Sequence, residues 1–195
     1  VNVFQQRGTV GIVFRVIPFG VKTADQLHLP KVVERISQEH RGLVLVTGKG
    51  GVGKSSITAN LAVALAARGH SVGLLDADVY GYSIPRMMGT TRTPVMLDDD
   101  LILPVEAHGV RLMSVGFMAS DDQPVIWRGP MLHKALTSFV TEVFWDDPDY
   151  LLVDLPPGTG DVSLSLAGLA PAARMVIVTT PQLAAQRVAK RAAAM

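Results

Sequence analysis

The stretch that most limits what this chain can become runs from Leu43 to Arg68. Leu43 to Thr47 is a five-residue apolar run, Gly48-Lys49-Gly50-Gly51-Val52-Gly53-Lys54-Ser55 follows at once, and Ser55 to Arg68 places apolar residues Ile57, Leu61, Ala64 and Leu65 at the helical period. The glycine-rich part fits GxxxxGK followed by Ser or Thr, in the strand, loop, helix setting that this pattern requires. Its glycines let successive N–H groups curl inward, and the helix start adds partial positive charge, so a polyphosphate can be held without a basic surface. The spacing predicts nucleotide contacts from Gly48, Lys49, Gly50, Gly51, Val52, Gly53, Lys54, Ser55 and Ser56. Lys54 would reach the β and γ phosphates and the Ser55 hydroxyl would meet Mg²⁺. Lys49 is open to two readings from spacing alone, a second cation aimed at phosphate or a solvated surface lysine.

Past Leu43 the texture alternates. Ser71 to Leu75, Val110 to Val115, Tyr150 to Val153 and Met175 to Thr179 are short runs polar on neither face, as strands covered on both sides must be. Ser55 to Arg68 and Pro130 to Trp145 carry the helical period between them, the latter through Leu132, Leu136, Phe139, Val140, Val143 and Phe144. Alternating strands and helices predict an α/β fold of the P-loop NTPase type, a mostly parallel sheet sandwiched by helices. The 195 residues, 48% apolar, suit one core. Residues 42–195 read as the nucleotide-binding domain and residues 1–41 as an unassigned N-terminal segment, with one strand at Val10 to Ile17 and a short helix at Pro30 to His40.

Two acidic strand ends accompany the loop. Asp76 and Asp78 close the second buried run at the sheet edge where ligands bind in open α/β folds. Two apart, they share a face, so one can serve Mg²⁺ and the other an attacking water; a capping Asp beside a solvated one is the alternative. Asp154 ends a third buried run, where P-loop enzymes place a metal-side carboxylate. The turn Pro156-Pro157-Gly158 follows it, and the Gly158 N–H is a candidate γ-phosphate contact that would be lost after hydrolysis. Asp161 caps the next helix, expected from Val162, or locks that turn. Asp98 to Asp100 and Asp121-Asp122 read as solvated turns, and Trp127-Arg128 as a packed Trp with an Arg serving a phosphate, a partner or neither.

Charge and composition remove other classes. Eighteen Lys and Arg against seventeen Asp and Glu leave +1, too little for nucleic acid or an anionic membrane to be held by global charge, and neither is expected as a partner. There is no cysteine, hence no disulfide, thiolate nucleophile or Cys-ligated metal within these residues. Histidines 28, 40, 70, 108 and 133 never fall three or four apart, which argues against a helical zinc pair. No apolar stretch approaches a membrane span and no secretory leader is visible, so a cytoplasmic protein is expected. A small-molecule kinase is disfavoured, because Gly89 to Gly129 supplies only Arg92, Arg111 and Arg128 for a phosphate lid.

The run of motifs KGGVGKSS, LLDADVYGYSIPRMMG, PVIWRGPM, DYLLVDLPPGTGD and VIVTTPQ resembles the Mrp/ApbC group of iron-sulfur cluster carrier ATPases. This group is part of the deviant P-loop class that includes MinD, ParA and nitrogenase iron protein. The resemblance spans about Leu43 to Met195. It implies a cytoplasmic homodimer that binds and hydrolyses ATP with Mg²⁺ and passes clusters to apoproteins. It gives Lys49 a contact with the partner's nucleotide, Asp78 the alignment of water, and Asp76 and Asp154, with Ser55, the Mg²⁺ side. Lys49, Lys54 and Asp78 are thus the expected catalytic set. Family members ligate a 4Fe-4S cluster through a CxxC pair expected beyond Met195, so the chain reads as an internal fragment. Residues 1–41 show no likeness to the family's small N-terminal domain. A positioning switch of the MinD or ParA kind, acting by ATP-dependent dimerisation on membrane or DNA, is the alternative.

Overall fold

Side chains alternate along a strand, so a run that is apolar at every position can be stable only if both faces of its sheet are covered. A computed structural model describes residues 2–6, 9–13, 41–79, 81–97, 101–118, 129–158 and 160–194. In chain order these residues form strands β1 (Asn2–Gln6), β2 (Thr9–Val13) and β3 (Gly42–Gly48), helix α1 (Lys54–Ala67), β4 (Val72–Asp76) and the one-turn helix α2 (Ile84–Met87). Then come β5 (Val95–Leu97), β6 (Leu101–Leu103), β7 (Val105–Ala107), β8 (Val110–Ser114), α3 (Gly129–Thr141), β9 (Tyr150–Asp154), α4 (Asp161–Leu169), β10 (Arg174–Val178) and α5 (Leu183–Ala192).

The main sheet has the order β10-β3-β9-β4-β8-β7, parallel except where β7 pairs antiparallel with β8. Val44, Val46, Leu74, Leu112 and Leu152 pack on one face with Leu61 and Leu65 of α1 and Ile84 of α2. Leu45, Leu75, Met113 and Val153, the alternate positions, pack on the other with Leu136 and Phe139 of α3 and Leu166 of α4. Leu74 and Leu75 are both 0% exposed, and burying each stabilises the fold by roughly 1.5–3 kcal/mol, so helices on both faces are an energetic requirement. α1 leaves β3 on the first face and α4 leaves the neighbouring β9 on the second. The two chain paths diverge there, and a crevice opens between the carboxyl ends of β3 and β9.

The expected buried strands are found within a residue or so of their predicted limits. The helix predicted for Pro130 to Trp145 instead ends at Thr141. Val143 leaves it to form a parallel bridge with Ile102, and the Ile102 N–H donates to the Glu142 carbonyl at 3.0 Å. Trp145 turns back so that its Nε1 donates to the Phe139 carbonyl at 3.0 Å. Carbonyls left open at the end of α3 are thereby satisfied without another helical turn. β1 pairs antiparallel with β2, which takes in the first part of the strand expected at Val10 to Ile17; residues 14–17 lie outside the described residues. The short hairpin of β5 and β6 was not foreseen. The predicted helix at Pro30 to His40, the turns at Asp98 to Asp100 and Asp121-Asp122, and Trp127-Arg128 lie outside the described residues. Among the described residues no helix is long and apolar enough to cross a membrane.

Candidate nucleotide and metal site

The loop after β3 is shaped by what its glycines permit. A Cβ on Gly48 would lie 2.2 Å from the Val178 carbonyl oxygen, so β10 can run beside β3 here only because position 48 has no side chain. Gly53, at φ +94°, turns the chain into α1 in the left-handed region, and no side chain caps the helix it starts. The first N–H groups of α1 therefore face the crevice uncapped, the arrangement that holds an anion. Lys54 is buried at 6% exposure, while Lys49, at the start of the loop, is exposed.

Asp154 and Asp76 sit opposite one another in register on β9 and β4, both 0% exposed. Burial raises Asp154 from 3.8 to about 6, against the lowering effects of a hydrogen bond from Ser55 and the charge of Lys54. Burial, followed by the Asp154 charge, raises Asp76 from 3.8 to about 7. The Thr58 hydroxyl lies 2.8 Å from the Lys54 carbonyl and 3.3 Å from Asp154 Oδ1, and its single proton serves one of them. Asp154 Oδ2 is buried with no hydrogen-bond partner.

An orphaned carboxylate oxygen beside a serine hydroxyl and a lysine is an incomplete set of charges, and an oxygen-seeking divalent cation such as Mg²⁺ fits it. Among the described residues no cluster of three His, Cys, Asp or Glu forms a cage by itself. Asp76 differs. Its Oδ1 accepts from the Asp78 N–H at 3.2 Å, and its Oδ2 accepts from Ser83 N–H at 3.1 Å, Ile84 N–H at 3.2 Å and Ser114 Oγ at 3.2 Å.

Asp78, 8% exposed, accepts from the Gly81 N–H at 3.0 Å, the capping bond weighed against a catalytic place. Its charge also raises both Asp76 and Asp154, so the three carboxylates share one electrostatic neighbourhood. The Gly158 N–H, the candidate γ-phosphate contact, donates to the Gly48 carbonyl at 3.2 Å, and Thr47 Oγ1 donates to the Gly158 carbonyl at 3.4 Å. That amide is committed to the phosphate loop's own first residue. α4 starts at Asp161, one residue earlier than predicted, with Gly160 at the cap position; the Asp161 side chain lies outside the described residues. Arg111, considered for a phosphate lid, is held by Ser71, the Trp145 carbonyl and Asp146. Sequence reasoning missed Thr47, Thr58 and Ser114. The signal available for Thr58 was a hydroxyl one helical turn after Lys54 on the covered face.

A parallel sheet covered on both faces, with an uncapped glycine loop and an acidic strand end meeting at its crevice, defines a P-loop nucleotide-binding protein. Residues 39–195 match the family described as NUBPL iron-transfer P-loop NTPase. The chain belongs to that family. An iron-sulfur cluster carrier protein of Mycobacterium leprae is 55% identical over 152 residues, which are 78% of this chain and 39% of that protein. One from Bacillus subtilis (strain 168) is 44% identical over 201 aligned residues, covering 100% of this chain and 56% of its own. The chain thus spans about two fifths to somewhat over half the length of these relatives. The Bacillus alignment takes in residues 1–41, whereas the family model begins at residue 39. Among solved structures, a nucleotide-binding protein of Archaeoglobus fulgidus in complex with ADP superposes at TM-score 0.64 with 35% identity, over 83% of this chain and 65% of that one. MinD of Pyrococcus horikoshii, at TM-score 0.55, 23% identity and coverage of 79% and 63%, shares the fold.

Proposed function

We propose that this chain is the ATP-binding and ATP-hydrolysing part of a cytoplasmic iron-sulfur cluster carrier that delivers clusters to apoproteins as a homodimer. The observation that carries the reading is the meeting of the uncapped Gly48 to Ser56 loop with the orphaned Asp154 oxygen. Support for the cargo comes from the names of the relatives. In this reading residues 42–195 are the ATPase domain and residues 1–41 a separate segment.

Lys54 and the loop amides Gly50, Gly51, Val52, Gly53 and Ser56 bind the phosphates and spread their charge. Ser55 and Asp154 would hold Mg²⁺, which would supply positive charge to neutralise the phosphates. Asp78, released from the Gly81 N–H, takes the proton-bearing side of the attacking water and aligns it with the γ-phosphorus. Exposed Lys49 reaches across to a second copy's nucleotide. The Gly158 N–H exchanges the Gly48 carbonyl for the γ-phosphate when ATP is bound and returns to it after hydrolysis.

The cluster is cargo, and none of these 195 residues is a cysteine, so thiolate ligands for it come from outside them. Anaerobic reconstitution of the gene product that contains this chain, followed by transfer to an apoprotein with and without ATP, tests the proposal. Iron uptake with ATP-dependent transfer is expected. A product that takes up no iron and binds liposomes or DNA in ATP contradicts it.

A further inference from the structure

Asp76 was expected on the Mg²⁺ side, yet its carboxylate accepts four hydrogen bonds from the protein itself. A carboxylate offers about four lone-pair positions. Four donors engage them here: Ser83 N–H, Ile84 N–H and Ser114 Oγ share the two positions of Oδ2, and the Asp78 N–H takes one of the two on Oδ1. A metal at Oδ2 would displace the first N–H groups of α2 and leave them buried and unpaired. The neighbouring Asp154 Oδ2 has no donor to lose.

What the four donors have in common is their destination. The Asp78 N–H belongs to the residue proposed to align water. Ser83 and Ile84 begin α2, and Ser114 ends β8 and accepts from the Gly116 N–H at 3.0 Å. Tyr82 and Gly116 lie side by side in the lining of a cavity of about 660 Å³, with Pro85 and Phe117. They approach so closely that a Cβ on Gly116 would lie 2.3 Å from Tyr82 Cδ2.

We propose that Asp76 is a positioning residue, whose Oδ2 is committed to the fold rather than to a metal and which ties the Asp78 loop, the start of α2 and the end of β8 to one buried carboxylate. It thereby sets both the place of Asp78 and the walls of the cavity. Because Asp78 is on the nucleotide side and Tyr82 on the cavity side, a change in the loop at one is transmitted to the other through this anchor. The inference rests on the reading of the site as a Mg²⁺-dependent ATPase.

The test compares Asp76→Asn with Asp154→Asn. An Asn amide nitrogen cannot accept a hydrogen bond, so one side of the anchor is lost with little change of shape. ATP hydrolysis is measured against Mg²⁺ concentration at saturating ATP, and amide hydrogen exchange is followed in the nucleotide-free protein. Asp76→Asn is expected to lower kcat roughly 10- to 100-fold, with half-saturation by Mg²⁺ within about twofold of wild type and faster exchange at Asp78, Ser83 and Ile84. Asp154→Asn is expected to raise half-saturation by Mg²⁺ roughly 10- to 100-fold. A shift in Mg²⁺ requirement for Asp76→Asn as large as that for Asp154→Asn, or unchanged exchange at Ser83 and Ile84, overturns the proposal. Should Asp76→Asn fail to fold, Ser114→Ala removes one donor. Faster exchange at Gly116 and Ile84, with lower kcat at unchanged Mg²⁺ requirement, then supports the anchor, and wild-type exchange and kcat overturn it. A wild-type protein that hydrolyses no ATP defeats the proposed function, while the exchange comparison still decides the role of Asp76.

Discussion

Asp78 shows how one side chain carries two roles in sequence. Its Oδ1 caps the turn at Gly81, yet its charge reaches both Asp76 and Asp154, which places it at the edge of the site. If it aligns water, Asp78→Ala binds ATP with near wild-type affinity and loses most turnover, about 100-fold or more, since general-base and positioning effects are worth roughly 10²–10⁴-fold. Single-turnover hydrolysis alongside equilibrium binding separates the two quantities. Equal hydrolysis by wild type and Asp78→Ala removes Asp78 from the role. Lys54 and Asp154 form the complementary pair: the lysine charge lowers the Asp154 pKa while burial raises it, so the carboxylate is kept ready to ionise when a cation completes the set.

At the scale of elements, the contact between β10 and β3 fixes where the phosphate loop begins. A methyl group at position 48 meets the Val178 carbonyl at 2.2 Å, and the remedy is separation of the two strands. Gly48→Ala is expected to cost about 1–3 kcal/mol and, for a chain of this size, to lower Tm by roughly 2–4 °C per kcal/mol. Thermal unfolding checks this, and an unchanged Tm contradicts the close approach. The buried strands were legible in the sequence because covering both faces leaves no polar position, as in Leu74-Leu75 and Leu152-Val153. The end of α3 was not. Val143 and Phe144 keep the helical period, and only a distant strand, β6, offers Val143 its bridge to Ile102. The site divides the same way. Glycine loop and acidic strand ends announce themselves by spacing, whereas the engagement of Asp76 Oδ2 by Ser83, Ile84 and Ser114 depends on donors 7, 8 and 38 residues away.

Across the whole molecule, two buried carboxylates with raised pKa values make stability depend on pH. Folded Asp76 and Asp154 hold protons up to about 7 and about 6, and the unfolded groups release them near 3.8. In that window the folded state binds more protons, so the stability of the nucleotide-free protein is greatest below the unfolded value and falls as pH rises toward 7. Mg²⁺ and nucleotide favour ionised Asp154 and are expected to flatten or reverse the slope. Denaturant unfolding at pH 5 and pH 7.5, with and without Mg-ADP, checks both signs, and stability rising with pH in the nucleotide-free protein contradicts the assignment. The central claim is that a triphosphate rests on the Gly48 to Ser56 amides with its cation at Ser55 and Asp154. Titration calorimetry with ATP, in the presence and absence of Mg²⁺, tests it most directly on wild type and Lys54→Ala. The expected result is a Mg²⁺-dependent heat in wild type, weakened roughly 10- to 150-fold in affinity when the lysine's charge-assisted contact of about 1.5–3 kcal/mol is removed. No Mg²⁺-dependent heat in folded wild type, or equal affinity in the two proteins, would contradict it.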